Sequence, residues 1–199
     1  MYSFTSELRT RISANLAAFE PRILDADGLR HAAVGVVLLP DHQRRTCFVL
    51  TRRLSTLRRH GGQWALPGGR LEAGETEVEA AMREIEEEVG LHLSADAILG
   101  RLDDFASRSG HLISPIVVWA DDASGLAISP DEVDAAFRVP VAELVRPGSL
   151  SLEPLLHFAL NVSSVYAPTA AILYQFREVG LHGQNLHIGH VEQPFFAWS

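Results

Sequence analysis

The sequence predicts a mixed α/β layered domain. Three observations carry that prediction. The elements run helix, strands, one central helix, more strands and then helices, instead of alternating regularly. The 199 residues are 47% hydrophobic and 21% charged, near the averages for globular proteins. No apolar run is long enough to cross a bilayer. The length fits a single domain over residues 1–199, with a core over about 32–145, an N-terminal helical piece over 1–31 and a C-terminal extension over 146–199.

Taken in order, Thr5 to Phe19 reads as an amphipathic helix, with Leu8, Ile12, Leu16 and Phe19 recurring on one face. This start lacks the continuous apolar block of a secretory signal and reads as cytoplasmic. "HAAVGVVLLP" and "TCFVLTRR" are two buried strands, and "DHQRR" between them makes a hairpin. "WALPGGRLEAGE" is a short strand giving way to a glycine-rich loop, followed by the most helical part of the chain, Glu77 to Val89. "AILGRLDDFAS" and "HLISPIVVWA" form a second strand pair around the "SRSG" turn. "PDEVDAAFRVPVAELV" reads as loop, strand and short helix, Thr169 to Arg177 as a helix, and "NLHIGHVEQPFFAW" as a late strand.

Composition excludes several function classes. Cys47 is the single cysteine, so neither a disulfide framework nor a cysteine-rich zinc site is available, and its apolar setting reads as core. A net charge of −8 argues against extended nucleic-acid contact, which needs a basic surface. All 17 basic residues are arginine, and a cluster of them between Arg44 and Arg70 points to a small anionic ligand. His182, His187 and His190 match no zinc spacing and read as ordinary histidines, with His187 and His190 on opposite faces of the late strand.

The stretch "REIEEEVG" places glutamates at the carboxyl end of a helix, where the dipole prefers cations. Thr76 with Glu79 forms a capping box, and Gly90 suits the left-handed position after the last turn. At about 100° per residue, Glu84, Glu87 and Glu88 fall within about 100° of one another, while Val78, Ala81, Met82, Ile85 and Val89 form the packing face. Glu86 points away into solvent. Three neighbouring carboxylates repel one another, and a divalent cation relieves the conflict; oxygen-only ligands indicate Mg2+ or Mn2+. Arg83, beside the cluster, can orient a carboxylate. A solvated acidic face is the other reading of the helix taken alone.

Gly69, Glu75, Arg83, Glu84, Ile85, Glu87, Glu88, Gly90 and Leu91 match every position of the Nudix box, G-x5-E-x7-R-E-U-x-E-E-x-G-U with U aliphatic. The chain therefore resembles the Nudix hydrolases. That resemblance implies an α/β/α sandwich with a mixed sheet, and Mg2+- or Mn2+-dependent hydrolysis of the pyrophosphate bond in a nucleoside diphosphate linked to another group. It further implies Glu84, Glu87 and Glu88 as metal ligands, with the Gly68 or Gly69 carbonyl completing the shell. Arg83 and Glu75 would hold loop and helix together. Glu87 and Glu88 are then catalytic, and the general base is either Glu88 or an acid on a later loop, where Glu132 follows Asp131.

Upstream, "VLTRRLSTLRRHGGQWALPGG" resembles the signature of the coenzyme A pyrophosphatase branch, fitting it at Leu50, Thr51, Arg53, Arg58, Gly62, Pro67, Gly68 and Gly69. Val49, Leu54, Leu66 and Glu72 depart from it. Arg53 and Arg58 are candidates for gripping substrate phosphates. The implied substrate is coenzyme A or an acyl derivative, giving adenosine 3',5'-bisphosphate and 4'-phosphopantetheine or its acyl form. ADP-ribose, an ADP-sugar and a nucleoside triphosphate stay open, as does a nucleotide-sensing module without turnover. "YAPTAAILYQFRE" either covers the substrate pocket or forms a subunit contact in a homodimer.

Overall fold

The computed structural model describes residues 2–25, 28–54, 62–151, 157–159 and 164–189. Its frame is an eight-stranded mixed sheet built around β1 (Arg30–Pro40). On one side the second half of β1 pairs antiparallel with β2 (Thr46–Arg53), in register Leu38 with Phe48 and Pro40 with Thr46. Asp41 shapes the hairpin turn, its carboxylate accepting from the Gln43 and Arg45 amides at 2.9 and 2.8 Å while Arg44 takes a left-handed φ of 58°. β2 pairs antiparallel with the short β3 (Trp64–Ala65) at its end and along its length with β8 (Val133–Pro140).

On its other side β1 runs parallel to β7 (His111–Trp119), which also carries β5 (Ile98–Arg101) and β6 (Phe105–Ser107). The first half of β1 pairs with β4 (Gly68–Arg70). This corrects the expected glycine-rich loop: Gly68 and Gly69 lie in a strand opposite Val34 and Ala33, where a side chain at 68 would crowd the β1 backbone and one at 69 the Glu84 carboxylate.

Period-two alternation sorts the core into two layers. Ala33, Val37 and Leu39 of β1, with Cys47 and Val49 of β2, face α2 (Glu77–Val89) and its Ala80, Ala81, Ile85 and Val89. Ala32, Val36 and Leu38, with Phe48 and Leu50, face the opposite layer. There α1 (Ser6–Ala17) buries Leu8, Ile12 and Leu16, and Phe4 stacks on Trp119 with ring centroids 4.0 Å apart. Thr5 caps α1 by accepting from the Leu8 amide. Cys47 is fully buried and free, and desolvation pushes its thiol pKa up to about 11, as befits a core side chain.

The extension differs from expectation. A separate three-stranded sheet, β9 (Leu150–Ser151), β10 (His157–Ala159) and β11 (Ser164–Tyr166), was not legible in the sequence. α3 (Thr169–Gln175) starts as expected but continues as a π-helix through Phe176–Leu181. No strand forms over residues 185–189, the described part of the expected late strand. Instead, buried Asp103 accepts from the Ile188 and Arg22 amides and faces His187 Nδ1 at 3.0 Å, so a carboxylate, not a sheet, ties down this segment. His182 contacts Glu178, and His190 lies outside the described residues. Among the described residues no helix is long and apolar enough to cross a membrane.

Candidate active site

The acidic cluster sits where the end of α2, the end of β2, β4 and the loop before β8 meet. α2 has the ends its sequence dictates. The Glu79 amide donates to Thr76 Oγ1 at 3.3 Å, and Glu79 Oε2 accepts from the Thr76 amide at 2.9 Å. At the other end Gly90 adopts φ 71°.

Arg83 organises more than the one carboxylate expected of it. Its guanidinium grips Glu75 in bidentate fashion at 2.8 and 3.1 Å, and its Nη1 reaches Glu84 at 2.9 Å and Glu87 at 2.8 Å. It also donates to the Arg70 carbonyl at 3.0 Å, tying β4 to the helix. The Arg83 bond holds Glu75 below the usual carboxylate range, and the surrounding acids keep Arg83 firmly charged.

Glu84 lies against the backbone of Gly69, where any Cβ would overlap its carboxylate. Burial raises the Glu84 pKa, Arg83 opposes that rise, and Glu87 and Glu132 add to it. Glu88 is 1% exposed. Burial chiefly pushes its pKa up to about 7; Arg53 and the Gly68 backbone pull it down, while Glu84 and Glu132 push it up. Its Oε2 is buried with no hydrogen-bond partner among the described residues.

Oxygens of Glu84, Glu88 and Glu132 all lie within 4.8 Å of one another, a group that joins the helix to an exposed loop acid 44 positions after Glu88. Glu87, on the same side of the helix, turns instead toward Arg83 with its side chain 50% exposed. Glu86 points into solvent beside His92, as its place on the helix predicts.

Alternation along β2 puts Arg53 in the row of Cys47, Val49 and Thr51 that faces α2, and its Nη1 stands 3.3 Å from Glu88 Oε1. Arg52, one residue earlier, faces the other way and pairs with Asp134 at 2.6 Å. Arg58, the second expected phosphate ligand, lies outside the described residues. Asp131 is exposed and outside the convergent group, which leaves Glu132 as the loop acid at the site.

Sequence reasoning missed how Glu132 is delivered. The last carbonyls of α2 accept from the loop between β7 and β8, Val89 O from the Ala127 amide at 3.0 Å and Glu88 O from the Ser129 amide at 3.1 Å. Ser129 O in turn accepts from the Glu132 and Val133 amides, and Glu132 O accepts from the Leu54 amide. No side-chain motif marks these backbone bonds; only the glycine at position 90 hints that something packs against the helix end.

Chemically, the site gathers carboxylate oxygens of graded burial beside two guanidiniums, Arg53 at Glu88 and Arg83 at Glu84. Such a set suits a hard divalent cation together with a phosphate-bearing ligand.

Comparison with known proteins agrees with this geometry. The family model for the NUDIX domain matches residues 29–157, more than half of the chain. Nudix hydrolase 3 of Caenorhabditis elegans is 32% identical over 144 residues, covering 70% of this chain and 60% of the worm protein. The uncharacterized Nudix hydrolase NudL of Photorhabdus laumondii is 40% identical over 120 residues, 59% of this chain and 63% of that protein. The chain thus spans less than two thirds of either relative. A MutT/nudix family protein from Enterococcus faecalis matches with TM-score 0.59 at 19% identity, covering 80% of this chain and 64% of that one. A NUDIX hydrolase from Alicyclobacillus acidocaldarius matches with TM-score 0.56 at 18% identity, covering 81% and 98%. Both structures share the mixed sheet with flanking helices.

Proposed function

The chain belongs to the NUDIX domain family, and on that premise we propose that it is a metal-dependent pyrophosphohydrolase acting on a nucleoside diphosphate linked to another group. Coenzyme A or an acyl-coenzyme A is the favoured substrate, giving adenosine 3',5'-bisphosphate and 4'-phosphopantetheine or its acyl form. The observation that carries the reading is the convergence of Glu84, Glu88 and Glu132 beside Arg53. All the box carboxylates are present, which favours turnover over a purely sensing module.

The donor set fits Mg2+ or Mn2+: it consists of oxygens only, and Glu88 Oε2 is a buried acceptor without a hydrogen-bond partner among the described residues. Glu84 and Glu88 would hold the ion, with Glu87, which here turns to Arg83, swinging in as the third ligand of the box. When bound it neutralises the diphosphate and lowers the pKa of a bound water. Arg83 holds the Glu84 and Glu87 carboxylates in place through charge-assisted hydrogen bonds. Arg53, on the face of β2 that looks toward the cluster, binds a phosphate oxygen of the substrate. Glu132, the exposed member of the cluster, accepts the proton of the attacking water as the water oxygen bonds to phosphorus and the bridging P–O bond breaks, the electron pair leaving on the departing phosphate. Gly68 and Gly69 leave room for close approach to their carbonyls.

Support for coenzyme A comes from Leu50, Thr51, Arg53, Gly62 and Pro67 in the stretch before the box. ADP-ribose, ADP-sugars and nucleoside triphosphates are the competing substrates. The test is a panel of coenzyme A, acetyl-coenzyme A, ADP-ribose and nucleoside triphosphates offered with Mg2+. Preference for the coenzyme A compounds is expected. Equal or better turnover of the others ends the substrate assignment, and no turnover of any ends the hydrolase reading.

A further inference from the structure

The C-terminal carbonyls of a helix have no partner within the helix and are commonly left to water or a capping residue. In α2 two of them are used differently. Val89 O and Glu88 O accept from Ala127 and Ser129, two residues of the loop that ends in Glu132. From Glu88 the bonds run onward without a gap: Glu88 O to the Ser129 amide, Ser129 O to the Glu132 amide at 3.2 Å, and Glu132 O to the Leu54 amide at 3.2 Å. Leu54 follows Arg53. The main chain of Glu132 is therefore suspended between Ser129, which is itself bonded to Glu88, and Leu54, the residue next to Arg53.

This suspension needs the loop to lie close against the helix end, and Gly90 permits it. A Cβ at position 90 would stand 3.0 Å from the Ala127 carbonyl and 3.1 Å from that of Gly125, tighter than a methyl group normally packs on oxygen. Both contacts are backbone, so relief requires the loop itself to move. The left-handed φ of 71° explains a glycine or asparagine at this cap. Only the absence of a side chain explains why the loop can sit where it does.

We infer that Gly90 is a positioning residue for Glu132: by leaving the end of α2 bare, it lets residues 125–129 dock on the helix carbonyls and bring the loop acid to Glu84 and Glu88. The inference rests on the hydrolase reading for its consequence in turnover, but its geometric content is independent of substrate. Helix capping and loop docking make different demands at position 90. Asparagine tolerates the left-handed conformation yet carries the Cβ that meets Ala127, so Gly90→Asn preserves the cap and displaces the loop.

The experiment compares wild type, Gly90→Asn, Glu132→Gln and the double variant. Turnover with coenzyme A and Mg2+ is measured for each, beside a crystal structure of Gly90→Asn. Glu132→Gln is expected to lower kcat roughly 100-fold, the range for a lost acid–base group. Gly90→Asn is expected to lower kcat about tenfold with KM little changed, because the loop must give by only a few tenths of an ångström, less than the ~1 Å misplacement that costs roughly 100-fold. In the Glu132→Gln background the same change should cost nothing further. In the crystal, residues 125–129 and Glu132 should be shifted away from the end of α2 by a few tenths of an ångström relative to wild type.

Wild-type kcat in Gly90→Asn, losses that multiply in the double variant, or an unmoved Glu132 would each overturn the inference. Should Gly90→Asn not fold, Ser129→Pro removes the amide that Glu88 O accepts and carries the same expectations. A wild-type protein inactive on every substrate defeats the hydrolase reading alone, and the crystal structure still decides the positioning role.

Discussion

Arg53 Nη1 stands 3.3 Å from the carboxylate of Glu88 although 35 residues separate them, and the acid is almost wholly buried. A guanidinium in that place does two things: it partly offsets the burial that raises the Glu88 pKa, and it supplies positive charge where a substrate phosphate would arrive. Arg53→Met removes both while keeping the apolar stem. kcat/KM for the preferred substrate should fall about 10- to 100-fold, the worth of one charge-assisted hydrogen bond of roughly 1.5–3 kcal/mol. Steady-state kinetics at saturating Mg2+ checks this, and Arg53→Lys should recover only part of the loss.

Glu88 makes the metal-free protein sensitive to pH. Its folded pKa of about 7 lies above the ordinary 4.5, so the fold prefers the protonated acid. The linked stability is fully present below about 4.5 and is lost as pH rises through 7. Burial of a charge that burial disfavours then costs on the order of 3 kcal/mol. Melting curves in a chelator should show Tm falling between pH 5 and pH 8, and Glu88→Gln should flatten that fall. Identical pH dependence in the two proteins would contradict the burial account.

Gly69 predicts a change confined to the site. In Gly69→Ala the new methyl group overlaps the Glu84 carboxylate and forces it off its resting place. α2 keeps both caps, so helicity should be unchanged while Mn2+ affinity drops about 10- to 100-fold, as for other groups that orient a ligand. Mn2+ titration followed by electron paramagnetic resonance, beside circular dichroism, separates the two effects.

Arg83 predicts a change in stability. It is the shared partner of Glu75, Glu84 and Glu87, and in Arg83→Met these acids face one another without it. Its partial exposure discounts the loss to roughly 2–3 kcal/mol, or a Tm lower by about 5–10 °C for a chain of this length. Thermal melting in metal-free buffer measures it. Excess Mg2+ should restore part of the difference, because a cation replaces the lost positive charge.

α2 was legible from sequence to the residue because its signals are local: Thr76 and Glu79 satisfy each other's backbone, and Gly90 ends the helix by its own φ. The β1–β2 hairpin was legible for the same reason, its polar turn lying between two apolar runs adjacent in sequence. What escaped depends on partners far along the chain. β4 read as a loop because two glycines normally weaken a strand, whereas here they let a strand lie against Ala33 and Glu84. The segment at His187 read as a strand from its apolar alternation, and nothing local reveals that Asp103 holds it. Within the site, the helix angles placed Glu84, Glu87 and Glu88 on one side, but only the tertiary fold sends Glu87 to Arg83 and brings Glu132 to Glu88.

The most direct measurement is anomalous diffraction from crystals soaked in Mn2+. A peak is expected between the carboxylates of Glu84 and Glu88, with Glu132 within reach, and should be lost in Glu88→Gln. Saturating Mn2+ with no peak there, or a peak that survives Glu88→Gln unchanged, would contradict it.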